Sequence, residues 1–210
     1  MNGTQNPETD PAYSGNAAGG YTDAPVFMIS EQYLIYAEAK AELGTLTQAD
    51  LDLTINKLRA RAGVAALKYN NGKVYSGVDG TTEIVYDAKT LALEAATGGM
   101  VSSILYEIRR ERMNELFMCS ALNHSDIYRW KKGGYLDTNL NPDLWLGANI
   151  AALVDENSVA NEQMVGNYFS MYKINDANVW DDKYYLMPLP QTQITLYTNK
   201  GYKLDQNTGW

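Results

Sequence analysis

Residues that bind structural metals or form cross-links are scarce in this chain. Its 210 residues include one cysteine, Cys119, and one histidine, His124. One cysteine excludes an internal disulfide, and these two residues are too few for a structural zinc site. Glycine-rich phosphate-binding loops of the Gly-x-Gly-x-x-Gly or Walker type are absent as well. We therefore expect no metal and no cofactor.

Basic residues are also in short supply. Lysine and arginine total 17 against 25 aspartates and glutamates, which gives a formal net charge of -8. This balance argues against nucleic acid or an anionic membrane surface as a partner, because both favour cationic proteins. No run of about 20 apolar residues is present, so we expect no segment to span a bilayer. The first residues also lack the charged and apolar regions of a signal peptide.

Aromatic residues are used unevenly, with 16 tyrosines and 4 tryptophans but only 3 phenylalanines. Tyrosine and tryptophan combine an apolar ring with a polar group, so they suit partly solvated surfaces and can stack on sugar rings. Trp145, Tyr172 and Trp180 lie in irregular sequence and are our candidate ligand-binding residues. Tyr69 and Tyr75 are further aromatics of an insertion. The alternative, that each ring anchors its own loop on the core, stays open.

The range 30–63 predicts a pair of antiparallel helices. The first covers about 31–43 and ends at Gly44, a typical helix terminator. Thr47 and Asp50 match a capping box that opens the second helix, which is predicted to continue without a break to the end of the range. The pair has the length of a tetratricopeptide unit, about 34 residues. Such a pair cannot cover both of its faces and is expected to stack on others.

The other parts of the chain differ from this hairpin in composition. They are predicted to be an irregular lead-in over 1–28, a hairpin-like insertion over 66–90, a short helix over 91–96, a charged helix over 101–119, a loop-rich region over 133–183 and a closing segment over 184–210. Asn71-Gly72 is the strongest turn signal of the insertion. His124 is expected to cap a turn before Tyr128.

The charged helix holds the residues that most resemble a catalytic set. Glu111 and Glu115 could form the acid/base pair of a glycoside hydrolase. Arg112, however, falls near the centre of the apolar arc of this helix, where a charge persists only if it is paired. We favour a structural ion-pair network of Arg112, Glu111 and Glu115, with Arg112 bound to Glu115 at i, i+3. Nearby arginines also lower the carboxylate pKa values that an acid catalyst needs raised.

The loop-rich region is acidic and amide-rich. It includes Asp137 and, near its end, Asp182. The spacing misses the pattern of a calcium loop, which needs a glycine at the sixth position and a glutamate at the twelfth. We predict no metal site from these residues, and a loosely held surface Ca²⁺ stays open as the alternative.

Six segments, in order, resemble the carboxy-terminal part of the SusD/RagB family. They are 29–44, 55–64, 104–117, 126–130, 184–194 and 206–210. The resemblance implies a mainly α, SusD-like fold over 29–210, in which a tetratricopeptide-type helical hairpin supports long loop-rich insertions. It also implies that the chain is part of a longer protein.

The same resemblance implies a function without catalysis. Members of the family capture glycan at the cell surface and deliver it to a SusC-like, TonB-dependent transporter in the outer membrane, to which they are attached as lipoproteins. No ligand identity follows from the resemblance. A helical-repeat adaptor that binds another protein, or capture of peptide by the same fold, remain as alternatives.

Overall fold

A computed structural model describes residues 27–77, 79–117, 120–150, 164–170 and 177–210. Helices predominate in this part of the chain, so the prediction of a mainly α fold is confirmed. The helices are α1 (Ile29–Glu42), α2 (Gln48–Leu53), α3 (Ile55–Arg61), α4 (Ala88–Ala96), α5 (Ser103–Glu115), α6 (Ser120–Arg129) and α7 (Gln191–Asn199). The strands are β1 (Lys68–Asn70), β2 (Lys73–Ser76), β3 (Thr82–Glu83), β4 (Leu146–Asn149), β5 (Met164–Val165) and β6 (Tyr168–Ser170).

Helix α1 buries a face that includes two polar residues. Its buried residues are Ser30, Leu34, Ala37 and Glu38. The apolar residues Ile29, Tyr36 and Leu43 share another helical face, and that face is exposed to solvent. The core therefore lies on the side of α1 that carries a carboxylate, and the burial of Glu38 requires a partner of opposite charge.

The second helix of the predicted pair is broken, contrary to the prediction of one continuous helix. Thr54 separates α2 from α3, with φ -120° and ψ -93°. Its hydroxyl donates to the carbonyl of Asp50 over 2.6 Å. Hydrogen bonding of a threonine side chain to the preceding turn is known to bend helices. The capping box at the start of α2 is confirmed, because Thr47 and Asp50 each bond the other's amide.

One hydrophobic core joins the helical pair, the insertion and α5. Leu34, Leu51 and Ile55 contribute from the pair, and Ile108 contributes from α5. Helix α1 packs mainly on α5 and also on α3. Arg112 lies on the same face of α5 as Ile108 and is 5% exposed, as its position on the apolar arc predicts.

The insertion forms an antiparallel sheet of order β1-β2-β3. Asn71 and Gly72 connect its first two strands with φ values of 50° and 79°. Both angles fit a two-residue hairpin turn, so the predicted hairpin is confirmed. The chain directly before β1 is held by Asn56, whose side-chain amide accepts from Leu67 N over 2.7 Å and donates to Leu67 O over 3.0 Å. Gln48 donates to the same carbonyl over 3.1 Å and accepts from Tyr69 N of β1 over 2.8 Å.

Two helix boundaries differ from those predicted. Asp87 caps α4 by accepting from the amide of Thr90 over 2.7 Å, so this helix begins at Ala88 rather than near residue 91. The charged helix ends at Glu115, four residues earlier than predicted. After residues 118–119 the chain forms helix α6, so His124 lies within a helix rather than at the turn that it was expected to cap.

The loop-rich region contains a second sheet that the sequence analysis missed. Its order is β4-β6-β5 and all of its strand pairs are antiparallel. Two short 3-10 helices, Gly133–Leu136 and Asp182–Tyr185, lie on either side of it in sequence. The strands are only two to four residues long, too short for a period of two to be visible in the sequence.

We expect Asn56→Ala to destabilise the protein by about 1–2 kcal/mol, because the buried amide of Leu67 loses its acceptor, while the carbonyl of Leu67 keeps its bond from Gln48. The higher helix propensity of alanine offsets only about 0.5 kcal/mol of this loss. Urea unfolding measures the difference, with Asn199→Ala on the exposed end of α7 as the matched control. A change no larger than that of the control would contradict the account.

Hydrogen bonds from the side chain and amide of Thr47 lower the pKa of Asp50 to about 2. The folded pKa lies below the ordinary value of 3.8, so the stabilisation is complete above that value and is lost as pH falls through about 2. We expect an NMR titration of the Asp50 carboxyl to show a midpoint near the lower value. Thr47→Val, which removes the hydroxyl, should raise that midpoint; an unchanged midpoint would refute the assignment.

Candidate functional site

A buried glutamate joins the first helix to the end of α6. Glu38 is 4% exposed. Its two carboxylate oxygens accept from the two terminal nitrogens of Arg129 over 2.9 and 2.5 Å. The indole nitrogen of Trp130 donates to the same carboxylate over 2.6 Å. Because the arginine contact is bidentate and the carboxylate of Glu38 is buried, it fixes the orientation of α6 on α1.

A second buried carboxylate extends this network to α5. Asp126 is 1% exposed and accepts from Nε of Arg112 over 2.6 Å and from Nε of Arg129 over 2.7 Å. The guanidinium of Arg129 also lies 4.8 Å from the ring centre of Trp130, and that of Arg109 lies 5.0 Å from it. We call Glu38, Asp126, Arg112, Arg129 and Trp130 the core ion network. Its two carboxylates are balanced by two guanidinium groups.

The predicted partner of Arg112 is wrong. Arg112 binds Asp126, fourteen residues away, instead of Glu115. Glu115 is bound by Arg61 over 2.5 Å, and Glu111 is bound by Arg59. Both arginines belong to α3, so the two glutamates join α3 to α5. Each carboxylate of the suggested acid/base pair is therefore already held by an arginine.

Glu107 is the carboxyl of this helix whose pKa is raised. Burial raises the pKa, while Arg110 and the hydroxyl of Tyr86 act in the opposite direction. The Glu107 side chain is fully buried and accepts from the Tyr86 hydroxyl over 3.0 Å. A carboxyl sealed from solvent in this way cannot reach a polymeric substrate.

A buried lysine joins the end of α4 to the end of α6. Lys132 donates to the Glu94 carboxylate over 2.8 Å and to the carbonyl oxygens of Thr97 and Gly99 over 3.1 and 3.0 Å. The hydroxyl of Tyr135 donates to the same glutamate. This cluster holds together the two helix ends that border a surface groove.

The groove has a volume of about 390 Å³ and a mixed polar and aromatic lining. We call it the α4–α6 groove. It is lined by Ala96, Thr97, Gly98, Lys131, Gly134, Asp137, Leu140, Trp180, Asp182 and Tyr185. One wall comes from the end of α4, another from the residues that follow α6, and a third from the segment around the second 3-10 helix. Of the predicted ligand-binding residues, Trp180 lies here.

Trp180 is held in the wall of the groove from several sides. Its amide donates to Asp137 over 3.0 Å. Its ring makes edge-to-face contacts with Tyr128, Tyr184 and Tyr185, with ring centres 5.8, 5.7 and 5.1 Å away. The ring also packs directly on the backbone of Gly133, where a Cβ atom would overlap it. Trp180 therefore both anchors its own segment and presents part of its ring to the groove.

The carboxylate of Asp137 is occupied by backbone groups. Burial would raise its pKa, but the amides of Trp180 and Asn139 outweigh burial and hold the pKa of Asp137 below its ordinary value. It therefore stays charged. Asp182 and Lys131, by contrast, form no ion pair and no side-chain hydrogen bond with any residue that the structure describes.

Trp145, Tyr69 and Tyr75 are not brought to this groove. Trp145 is half-buried directly before β4 and is not among the groove residues. Tyr172 lies outside the described residues. Tyr69 and Tyr75 border a second groove of about 510 Å³ beside the first sheet, together with Asp79.

Sequence reasoning missed Lys131 as a site residue. Its only signal is its place directly after an aromatic residue at the end of a helix, and that helix was itself not predicted. Asp137 and Asp182 were noticed as acidic loop residues, but the sequence alone does not bring them to one groove. Hydrogen bonds between the segments around Thr138 and Asn178 do so, over 2.8 and 3.1 Å.

Metal clusters and membrane-spanning helices were searched for in the described part of the chain. No group of three or more His, Cys, Asp or Glu side chains there could hold a metal ion. No helix within the same residues is long and apolar enough to cross a bilayer.

The chain belongs to the SusD family, whose family model matches residues 4–210. Membership implies a role in glycan-binding nutrient uptake. Comparison with curated proteins and with solved structures finds no match for this chain.

We expect Asp126→Asn to destabilise the fold by about 3 kcal/mol or more, because Arg112 is left buried without a carboxylate partner. Asparagine has nearly the same shape as aspartate, so the loss of stability reflects the missing charge rather than a cavity. The control is Asp205→Asn, which removes the exposed pair with Lys203 and should change stability by less than about 0.5 kcal/mol. Equal losses in the two variants, measured by urea unfolding, would show that the network contributes nothing.

Proposed function

We propose that the protein captures glycan at the cell surface without cleaving it and delivers it to a SusC-like, TonB-dependent transporter. The observation that carries this proposal is the family match over residues 4–210. The proposal further places the protein at the outer membrane as a surface-exposed lipoprotein. Contact with the membrane would then come only through a lipid anchor.

The α4–α6 groove supports glycan as the ligand. Sugar rings have apolar faces that stack on aromatic rings and hydroxyls that bond to carboxylates and ammonium groups. The groove offers the ring of Trp180, the carboxylate of Asp182 and the ammonium of Lys131. Trp145, outside this groove, and Tyr172 are proposed as further ligand contacts.

The carboxylates of α5 support a function without catalysis. A glycoside hydrolase needs a protonated carboxylic acid and a second carboxylate on either side of the scissile bond. Glu111 and Glu115 are each bound by an arginine of α3, so neither carboxylate is left free for a substrate. We therefore propose that Arg112, Glu111 and Glu115 serve the structure rather than a reaction.

A second candidate function is that of a helical-repeat adaptor. The exposed side chains of Ile29, Tyr36 and Leu43 on α1 favour it, because exposed apolar side chains on one helix face commonly mark contacts with another protein. Such an adaptor would bind a protein segment along its helices and would not need the α4–α6 groove.

Affinity electrophoresis of the intact protein in gels that contain single polysaccharides tests capture. We expect retardation by at least one glycan and no release of reducing sugar from it. Gly133→Ala should weaken the retardation, because the added methyl group displaces the ring of Trp180. Near-ultraviolet circular dichroism of this variant checks that the rest of the fold is retained.

Two results would contradict the proposal. Absence of retardation by every polysaccharide would contradict glycan capture. Release of reducing sugar would contradict the proposal that the protein does not cleave its ligand. Delivery is tested separately by affinity purification of the protein from its own outer membrane. Recovery of no TonB-dependent transporter would refute the proposed partner.

A further inference from the structure

Lys131 occupies a backbone conformation that glycine normally supplies. Its φ is 54°. It lies just beyond the end of α6, where the amide of Lys131 bonds Tyr128 O over 3.1 Å and the amide of Lys132 bonds Ile127 O over 2.9 Å. These two bonds define a Schellman motif, whose left-handed residue is usually glycine because a Cβ atom is disfavoured there. A lysine at this position therefore needs a reason other than helix termination.

The neighbours of Lys131 have evident structural roles, and Lys131 does not. Trp130 is buried in the core ion network and Lys132 is buried against Glu94. The side chain of Lys131 is exposed and lines the α4–α6 groove. It makes no ion pair with any residue in the described part of the chain. Strained residues that persist without a structural gain are characteristic of ligand-binding sites.

Among the residues that the structure describes, the groove offers one free cation and one free anion. The cation is Lys131. Of the two lining carboxylates, Asp137 is occupied by the amides of Trp180 and Asn139, whereas Asp182 makes no ion pair or side-chain hydrogen bond within the described residues. A ligand that satisfies both groups must accept a hydrogen bond at one point and donate one at another. A hydroxyl does both without adding charge.

We propose that Lys131 and Asp182 together bind a neutral, hydroxyl-bearing sugar of an uncharged glycan in the α4–α6 groove, beside the ring of Trp180. This inference rests on the proposed function and names its substrate class. Acidic glycans are disfavoured, because a uronate carboxylate would lie beside Asp137 and Asp182 on a chain of net charge -8. Lys131 is thus a specificity-determining residue.

Isothermal titration calorimetry on the intact protein tests the proposal with three kinds of probe. The first is a set of neutral oligosaccharides, namely cello-, malto-, manno- and xylohexaose; the second is a galacturonate hexamer; the third is a Ser-Gly hexapeptide. We expect at least one neutral oligosaccharide to bind, and the galacturonate and the peptide to bind at least about tenfold more weakly.

Lys131→Gly separates binding from stability. It removes the ammonium but supplies the residue that the backbone favours, so the thermal midpoint should be equal to or above that of the wild type. The affinity of Lys131→Gly for the neutral oligosaccharide should fall about tenfold. The affinity of Asp182→Ala should fall by a similar factor, because each variant loses a hydrogen bond to a charged group. Asn71→Gly is the matched control. It places glycine at another residue with a positive φ, 50°, that does not line the groove, and it should leave the affinity unchanged.

Each outcome decides a specific claim. Wild-type binding of a neutral oligosaccharide that Lys131→Gly and Asp182→Ala leave unchanged would overturn this inference while glycan capture stands. Tighter binding of the galacturonate or of the peptide would overturn the substrate class. Absence of binding by every probe would count against the proposed function and the inference together.

Discussion

The contact on which the structure depends is the bidentate bond between Glu38 and Arg129. A carboxylate that is 4% exposed is tolerated only with a partner that neutralises it and fills its acceptor sites. Arg129 neutralises the Glu38 carboxylate, and Arg129 and Trp130 donate hydrogen bonds to it. Asp126 in turn accepts a hydrogen bond from Arg112. Helix α1 is thereby held in one arrangement with α5 and α6, which lie far from it in sequence. Glu111 and Glu115, which look most like catalytic groups, lie outside this network and join α3 to α5 through Arg59 and Arg61.

The same contact determines the path of the chain beyond α6. With Trp130 held against Glu38 and Lys132 held against Glu94, the residue between them is turned toward the α4–α6 groove. Lys131 has its left-handed backbone conformation between these two anchors. The candidate binding surface therefore lies directly beside the ion network that supports it. A fixed framework of this kind can hold a surface groove in shape without taking part in its chemistry.

Features encoded over a few residues could be predicted from the sequence, and features that depend on distant partners could not. The capping box of Thr47 and the turn at Asn71-Gly72 each need only local geometry. The burial of Arg112 followed from helical periodicity, but its partner did not, because Asp126 lies on a helix whose pattern was too weak to recognise. The second sheet was missed for a related reason: strands of two to four residues are defined by their pairing rather than by composition.

A double-mutant cycle on Glu38 and Arg129 measures the central contact most directly. The unfolding free energies of Glu38→Gln, Arg129→Met and the double variant are compared with that of the wild type. Because the contact is bidentate and the carboxylate of Glu38 is buried, we expect the two substitutions to be coupled by about 1.5 kcal/mol or more. Additivity within about 0.5 kcal/mol would contradict the claim that this contact holds the helices together.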